Sequence, residues 1–394
     1  MTNLLVKPVE PVSFRGNVGF SGGGSVGRAM MPPWPSTFAG ALRSHALVQH
    51  GVLEPLVRTG ELPGGPVREA LGPKPSEARG TFRLSALGLW CERRERVVVP
   101  VPADLVVTEG PDGEPVLSSL GPVGLGVEVH HGGPLPMIPA LRAHGRAKPS
   151  RGWWITDEGL ARHLAGGTVA PGDLVHAREL WVRELRPGVG LDAQTRSAEE
   201  GRLFTTEYVR LRAGMAFFVA TAGDRGIFEG PGWLRLGGDG RIAQVVPAGE
   251  SVRAPGLPEK DWRDWNGGFR VVLATPGLFR QGWVPDRVRR DGERWMLEVG
   301  DLRAELVCAA VPRAEAISGW NMAKRRPWPV LRAVPAGAVY WFRIEDGCVE
   351  DLQRLVEDGW WGTDDSGRIE GWRQRRAQGF NNVWIGRWIG REAS

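Results

Sequence analysis

Cysteine is almost missing from this chain of 394 residues, and the three thiols, Cys91, Cys308 and Cys348, show no CxxC spacing. That pattern excludes a disulfide framework and a cysteine zinc site. No apolar run reaches the about eighteen residues that a membrane helix needs, so none is expected. The opening MTNLLVKPVEPVS carries no signal-peptide core, and the expected location is the cytoplasm. Lysine is scarce too, occurring only as Lys7, Lys74, Lys148, Lys260 and Lys324.

Acidic residues are missing locally. None occurs in Pro11 to Leu53, Ala140 to Thr156, Trp320 to Phe342 or Trp372 to Arg391, and each block carries several arginines. With a net charge of +5, separate basic blocks are the electrostatic footprint of a polyanion binder. The preference for arginine over lysine by itself also follows from a GC-rich coding sequence. Hydrophobic content of 42% and charged content of 24% are those of a globular protein. The length suits about two domains.

Glycine is plentiful in FRGNVGFSGGGSVG, residues 14 to 27, where Gly22 to Gly27 formally match GxGxxG. A dinucleotide site requires a helix starting at the third glycine. Here Pro32, Pro33 and Pro35 follow, and they cannot continue one. No Lys-Ser/Thr pair is present to make a P-loop. The loop can still let backbone amides approach phosphates closely, with Gly22, Gly23 and Gly24 flanked by Arg15 and Arg28.

A helix is expected from Ser36 or Thr37, with Phe38, Ala41, Leu42, His45 and Val48 on its apolar face and Arg43 on its open one. His45 therefore reads first as a core histidine. Strands are expected at 82–89, 97–101 and 105–107, and a capped helix from Thr156 to Gly166. A strand from Leu174 to Leu185 should then feed a hairpin. Arg146, Lys148 and Arg151 lead into Trp153-Trp154, a mix suited to base stacking or to core anchoring. His130-His131 has no companion acids, and no metal site is expected. Further strands are expected at 216–222, 233–236, 242–246, 269–274, 295–299, 304–311 and 339–344. A short helix at 351–357 should turn Leu352, Leu355 and Val356 inward, and a half-buried strand should close the chain at 383–389.

Residues 183 to 214 read as two strand-like arms joined by a polar connection, Asp192 to Gly201, whose tip buries little and suits contact with a partner. The pattern R-x-G-V-x-L-D-x-x-T-x-x-A-x-E-G-x-L-F-x-x-E from Arg186 to Glu207 resembles the signature of the RAMP superfamily, the RNA-binding subunits of CRISPR effector complexes. Within it, the chain is most similar to the third-subunit family of the type III-B (Cmr) module. Pro35 to Arg43, Ala333 to Tyr340 and Gly379-Phe380 support the placement in order along the chain.

The resemblance implies an α+β fold of two ferredoxin-like (RRM-like) βαββαβ domains with long loop and hairpin insertions. The expected domains are 1–200, ending in the projecting hairpin, and 201–394, with a C-terminal glycine-containing loop. It implies a non-catalytic RNA-binding scaffold in antiviral defence, holding the 5′ repeat tag of a CRISPR RNA. The implied partners are a large polymerase-like subunit and a backbone subunit. Around the hairpin, Arg186, Thr195, Arg196 and Phe204 are expected at the RNA, together with Arg15, Arg28, Arg43, Arg146, Lys148 and Arg151. The loop Gly379-Phe380-Asn381 joins them, although the family usually has glycine where Asn381 stands.

The competing reading is a metal-independent endoribonuclease with His45 as general base and Arg43 or Lys148 stabilising the phosphate. A third, a small-molecule enzyme built on Asp192, Glu199 and Glu200, competes with a solvated mixed-charge hairpin, since Arg186, Arg196 and Arg202 lie beside those acids. No cofactor is expected.

Overall fold

A computed structural model describes residues 1–16, 26–110, 112–124, 133–141, 148–256, 265, 267–321, 325–363 and 369–388. Gly22, Gly23, Gly24, Arg146 and the His130-His131 pair lie outside the described residues. The fold is α+β and dominated by antiparallel sheets. The chain divides into two interleaved compact units. The first is Met1–Glu95, Ala177–Val252 and Ala316–Val330; the second is Arg96–His176, Arg253–Glu315 and Leu331–Ser394. The compact units thus differ from the expected boundary at residue 200, which falls inside strand Ala198–Leu211.

In the first unit, strands Gly232–Leu236, Arg241–Pro247, Thr2–Pro8, Met215–Ala222 and Arg83–Cys91 lie side by side in that order, each antiparallel to its neighbour. Alternation decides which residues face inward. Leu4 and Val6 pair with Val219 and Phe217, and all four are buried. Helix Pro35–Gln49 brings Phe38 against Phe14 and Phe217, with ring centroids 6.2 and 5.0 Å apart. It starts two residues before Thr37, because Pro35 suits the first helical position, and neither Ser36 nor Thr37 acts as cap. Phe38, Ala41, Leu42 and His45 are buried as the wheel expects, whereas Val48 is exposed.

The second unit is built on six antiparallel strands in the order 288–291, 294–299, 302–310, 339–346, 268–273 and 383–387. Both faces of this sheet are covered, so successive residues enter different cores. Phe269, Val271, Tyr340, Phe342, Val383 and Ile385 join one cluster; Val272, Val339, Trp341 and Trp384 join the other. The last strand, expected to be half-buried, is therefore buried on both sides. In the second cluster Asp104, His163 and Arg270 form a buried knot, with His163 Nε2 at 2.9 Å and Arg270 Nη1 at 3.3 Å from the carboxylate. Burial raises the Asp104 pKa, but Arg270 and then His163 more than offset it and hold the group below the usual carboxylate range.

Several expectations shift locally. Helix Asp157–Leu164 forms as expected, with the Thr156 hydroxyl accepting from the Gly159 amide at 3.1 Å. The long strand from Leu174 instead breaks into Leu174–His176, a helical turn Ala177–Leu180 and a strand Trp181–Leu191. A 3₁₀ turn at Val349–Leu352 precedes helix Gln353–Asp358; Leu352 and Leu355 are buried, and Val356 is left at the surface.

Candidate nucleic-acid interface

The hairpin pairs Trp181–Leu191 with Ala198–Leu211 in antiparallel register. Cross-strand partners share a face, so the register sorts its side chains into two sets. One face carries Leu185, Pro187 and Val189 opposite Glu207, Thr205 and Leu203, and Leu185, Val189 and Leu203 are exposed. The other carries Glu184, Arg186 and Gly188 opposite Tyr208, Thr206 and Phe204.

That second face explains much of the signature. The Phe204 ring lies over Gly188, where an added Cβ would sit 2.5 Å from ring carbons. A glycine at 188 is what lets the ring approach the strand this closely. Arg186 packs over the Tyr208 ring with its guanidinium carbon 5.0 Å from the centroid, and Nη2 donates to Glu184 at 3.0 Å. Arg210 also donates to Glu184, and these two arginines hold that carboxylate below its usual range. The Tyr208 hydroxyl donates to Asp239 at 2.8 Å.

The tip is built by Asp192. Its Oδ1 accepts from the Gln194 amide at 2.9 Å, the Thr195 amide at 2.8 Å and the Thr195 hydroxyl at 3.0 Å, which holds its pKa low. Thr195 thus has a turn-making role, with its hydroxyl shared between Asp192 and Ser197. Arg196 occupies the left-handed region at φ 58° and is exposed. It has no ion-pair partner among the described residues. Glu199 pairs with Arg202 at 3.0 Å, in keeping with a mixed-charge surface. Among the described residues no group of three metal-ligating side chains is found.

The glycine-rich segment returns to this hairpin. Val26–Gly27 runs parallel to Thr205-Thr206, and the Ala29 carbonyl accepts from Arg183 at 2.8 Å. Arg186, Arg196 and Phe204 belong to the hairpin, exposed Arg28 follows the short strand paired to it, and exposed Arg15 bridges to Ala29. Arg43 departs from expectation. It is half-buried and donates to the Pro75 carbonyl, and burial lowers its pKa.

Lys148 and Arg151 belong to the second unit and are exposed. In the same unit, the Gly379–Asn381 loop faces inward. Phe380 and Asn381 are fully buried, and Asn381 at φ 62° keeps the left-handed turn expected of it. Its side chain accepts from the Leu278 amide at 2.7 Å and donates to the Trp360 carbonyl at 2.8 Å. Burial removes both side chains from the surface where an RNA contact was expected.

His45 has the core position its helix predicts. Nδ1 lies 3.0 Å from the Trp233 carbonyl on the edge strand, and the ring fits because residue 232 is glycine, where a Cβ would sit 2.2 Å away. Burial lowers its pKa. Sequence reasoning missed Tyr208, Glu184 and Arg210, which order the arginine-bearing face. Only their alternate spacing along the arms signals them.

The profile of the CRISPR-associated protein family Cas_Cmr3 matches residues 4–388. No curated protein sequence matches the chain. Among solved structures, a chain of the type III-B Cmr-beta complex bound to cognate target RNA and AMPPnP matches with TM-score 0.50 and 14% identity, covering 97% of this chain and 95% of that one. A chain of the Csm3–Csm4 subcomplex of a type III-A interference complex matches with TM-score 0.35 and 11% identity, over 88% of this chain and 93% of that one. At 14% identity the Cmr-beta match speaks for the fold alone.

Proposed function

The chain belongs to the Cas_Cmr3 family, and from that membership we propose that it is the non-catalytic RNA-binding scaffold of a type III-B CRISPR effector complex. It holds the 5′ repeat tag of the CRISPR RNA in the cytoplasm and docks to the large polymerase-like subunit and a backbone subunit. The observation that carries the RNA contact is the hairpin, which has exposed Arg196 at its tip and the Arg186–Phe204 set on one face, with exposed Arg28 directly after the short strand paired to it. Arginine neutralises phosphate, and ring and guanidinium planes receive unstacked bases. Elaborated ferredoxin-like units agree with the strand order. Four adjacent strands in each unit, 241–247, 2–8, 215–222 and 83–91 in the first and 383–387, 268–273, 339–346 and 302–310 in the second, lie in the order 4-1-3-2 when those four are numbered along the chain.

The test is binding of the purified chain, alone and with its large partner, to two RNAs of equal length, one tagged and one scrambled, at two salt concentrations. The tagged strand should bind more tightly and remain intact, with a surplus that survives salt. Arg28→Ala and Arg196→Ala should each reduce the salt slope by about 0.7. Equal binding that collapses in salt sinks tag reading. A cleaved probe whose cleavage stops in His45→Ala establishes the ribonuclease instead.

A further inference from the structure

Beside the hairpin, still within the first unit, the edge strand Gly232–Leu236 and helix Pro35–Gln49 border an open cleft of about 1380 Å³. Small-molecule pockets usually span about 300–1,000 Å³, so its size suits a segment of a polymer. Trp233 and Trp320 line it and are 60% and 58% exposed. Two tryptophans left open on one cleft are costly to solvate and well shaped to receive flat rings.

The charges around them are one-sided. Arg15 and Arg235 stand at the cleft, and Arg235 has no ion-pair partner among the described residues. Its acids are engaged: Glu10 accepts from Arg241 at 2.5 Å, and Asp239 accepts from the Tyr208 hydroxyl at 2.8 Å. Through Asp239 the cleft continues into the hairpin, since Tyr208 lies under Arg186.

We infer that this cleft receives unstacked bases of the single-stranded RNA whose backbone the hairpin holds, with Trp233 and Trp320 as stacking surfaces and Arg15 and Arg235 on the phosphates. This rests on the RNA-binding reading above. Stacking on aromatics tolerates any base, so the cleft adds affinity without demanding a sequence.

Full-length protein would be titrated with a labelled single-stranded RNA and with an abasic strand of the same length. The parent should prefer the base-bearing strand. The double variant Trp233→Ala/Trp320→Ala should lose roughly tenfold or more on that strand and nothing on the abasic one. Trp233→Phe/Trp320→Phe, which keeps the rings and controls for folding, should retain most of the preference. A parent that binds no RNA overturns the scaffold reading and this one together. A parent that binds RNA while the alanine variant matches it on both strands overturns the cleft alone. So does an alanine variant that keeps its RNA affinity but no longer co-purifies with partner subunits, which would give the cleft to a protein.

Discussion

The hairpin and the Gly379–Asn382 loop both carry residues of the family pattern, and they are used in opposite ways. In the hairpin the glycine makes room for a ring at the surface, and Arg196 points its charge into water. In the loop the same kinds of residue are sealed inside. Phe380 lies under Arg375 at 5.5 Å, and Asn381 and Asn382 bond to the backbone around Ala274 to Leu278. A glycine-plus-aromatic pattern therefore marks close approach of backbone and ring. Whether that approach serves a ligand or a core depends on what the rest of the chain places above it.

Substitutions at the two places should separate these uses. Phe380→Ala should have the largest effect, a loss of about 3–5 kcal/mol in stability by urea denaturation, because a fully buried ring is removed. A fall under 1 kcal/mol would break the contrast. Asn381→Gly, which keeps the left-handed turn but strands the Leu278 amide, should cost about 1–3 kcal/mol. At the hairpin tip the effect should be local and dependent on pH. The lowered pKa of Asp192 means the turn is intact above the unfolded value of about 3.9 and loosens as pH falls through the folded value. The Thr195 amide resonance should report that loosening while the denaturation midpoint at neutral pH stays level in Asp192→Ala.

Much of the fold was legible locally. The strand at 83–91 follows from alternation, those at 215–222, 268–273 and 339–346 from short apolar runs, and the Thr156 cap from hydroxyl placement, all of them properties of neighbours in sequence. The breaks at Ala177–Leu180 and Val349–Leu352 were not, since each puts a short turn into a run whose apolar pattern also suits one continuous element. For the candidate interface, the hairpin and its arginines were readable, whereas the ladder Glu184–Arg186–Tyr208–Asp239 was not. Asp239 reaches it from another strand connection, and no spacing in the chain announces that meeting.

What the sequence determined by itself was the family, the α+β class, most strand positions and the basic blocks. These are carried by spacing and composition, which survive without knowledge of distant contacts. The tertiary structure alone decided the facing of each candidate. It turned Arg43 onto the Pro75 carbonyl, enclosed Phe380 and Asn381, and left Arg28, Arg196, Trp233 and Trp320 open. Exposure is set by pairing between segments far apart in the chain, and a local pattern constrains only which residues share a face, never what comes to cover it.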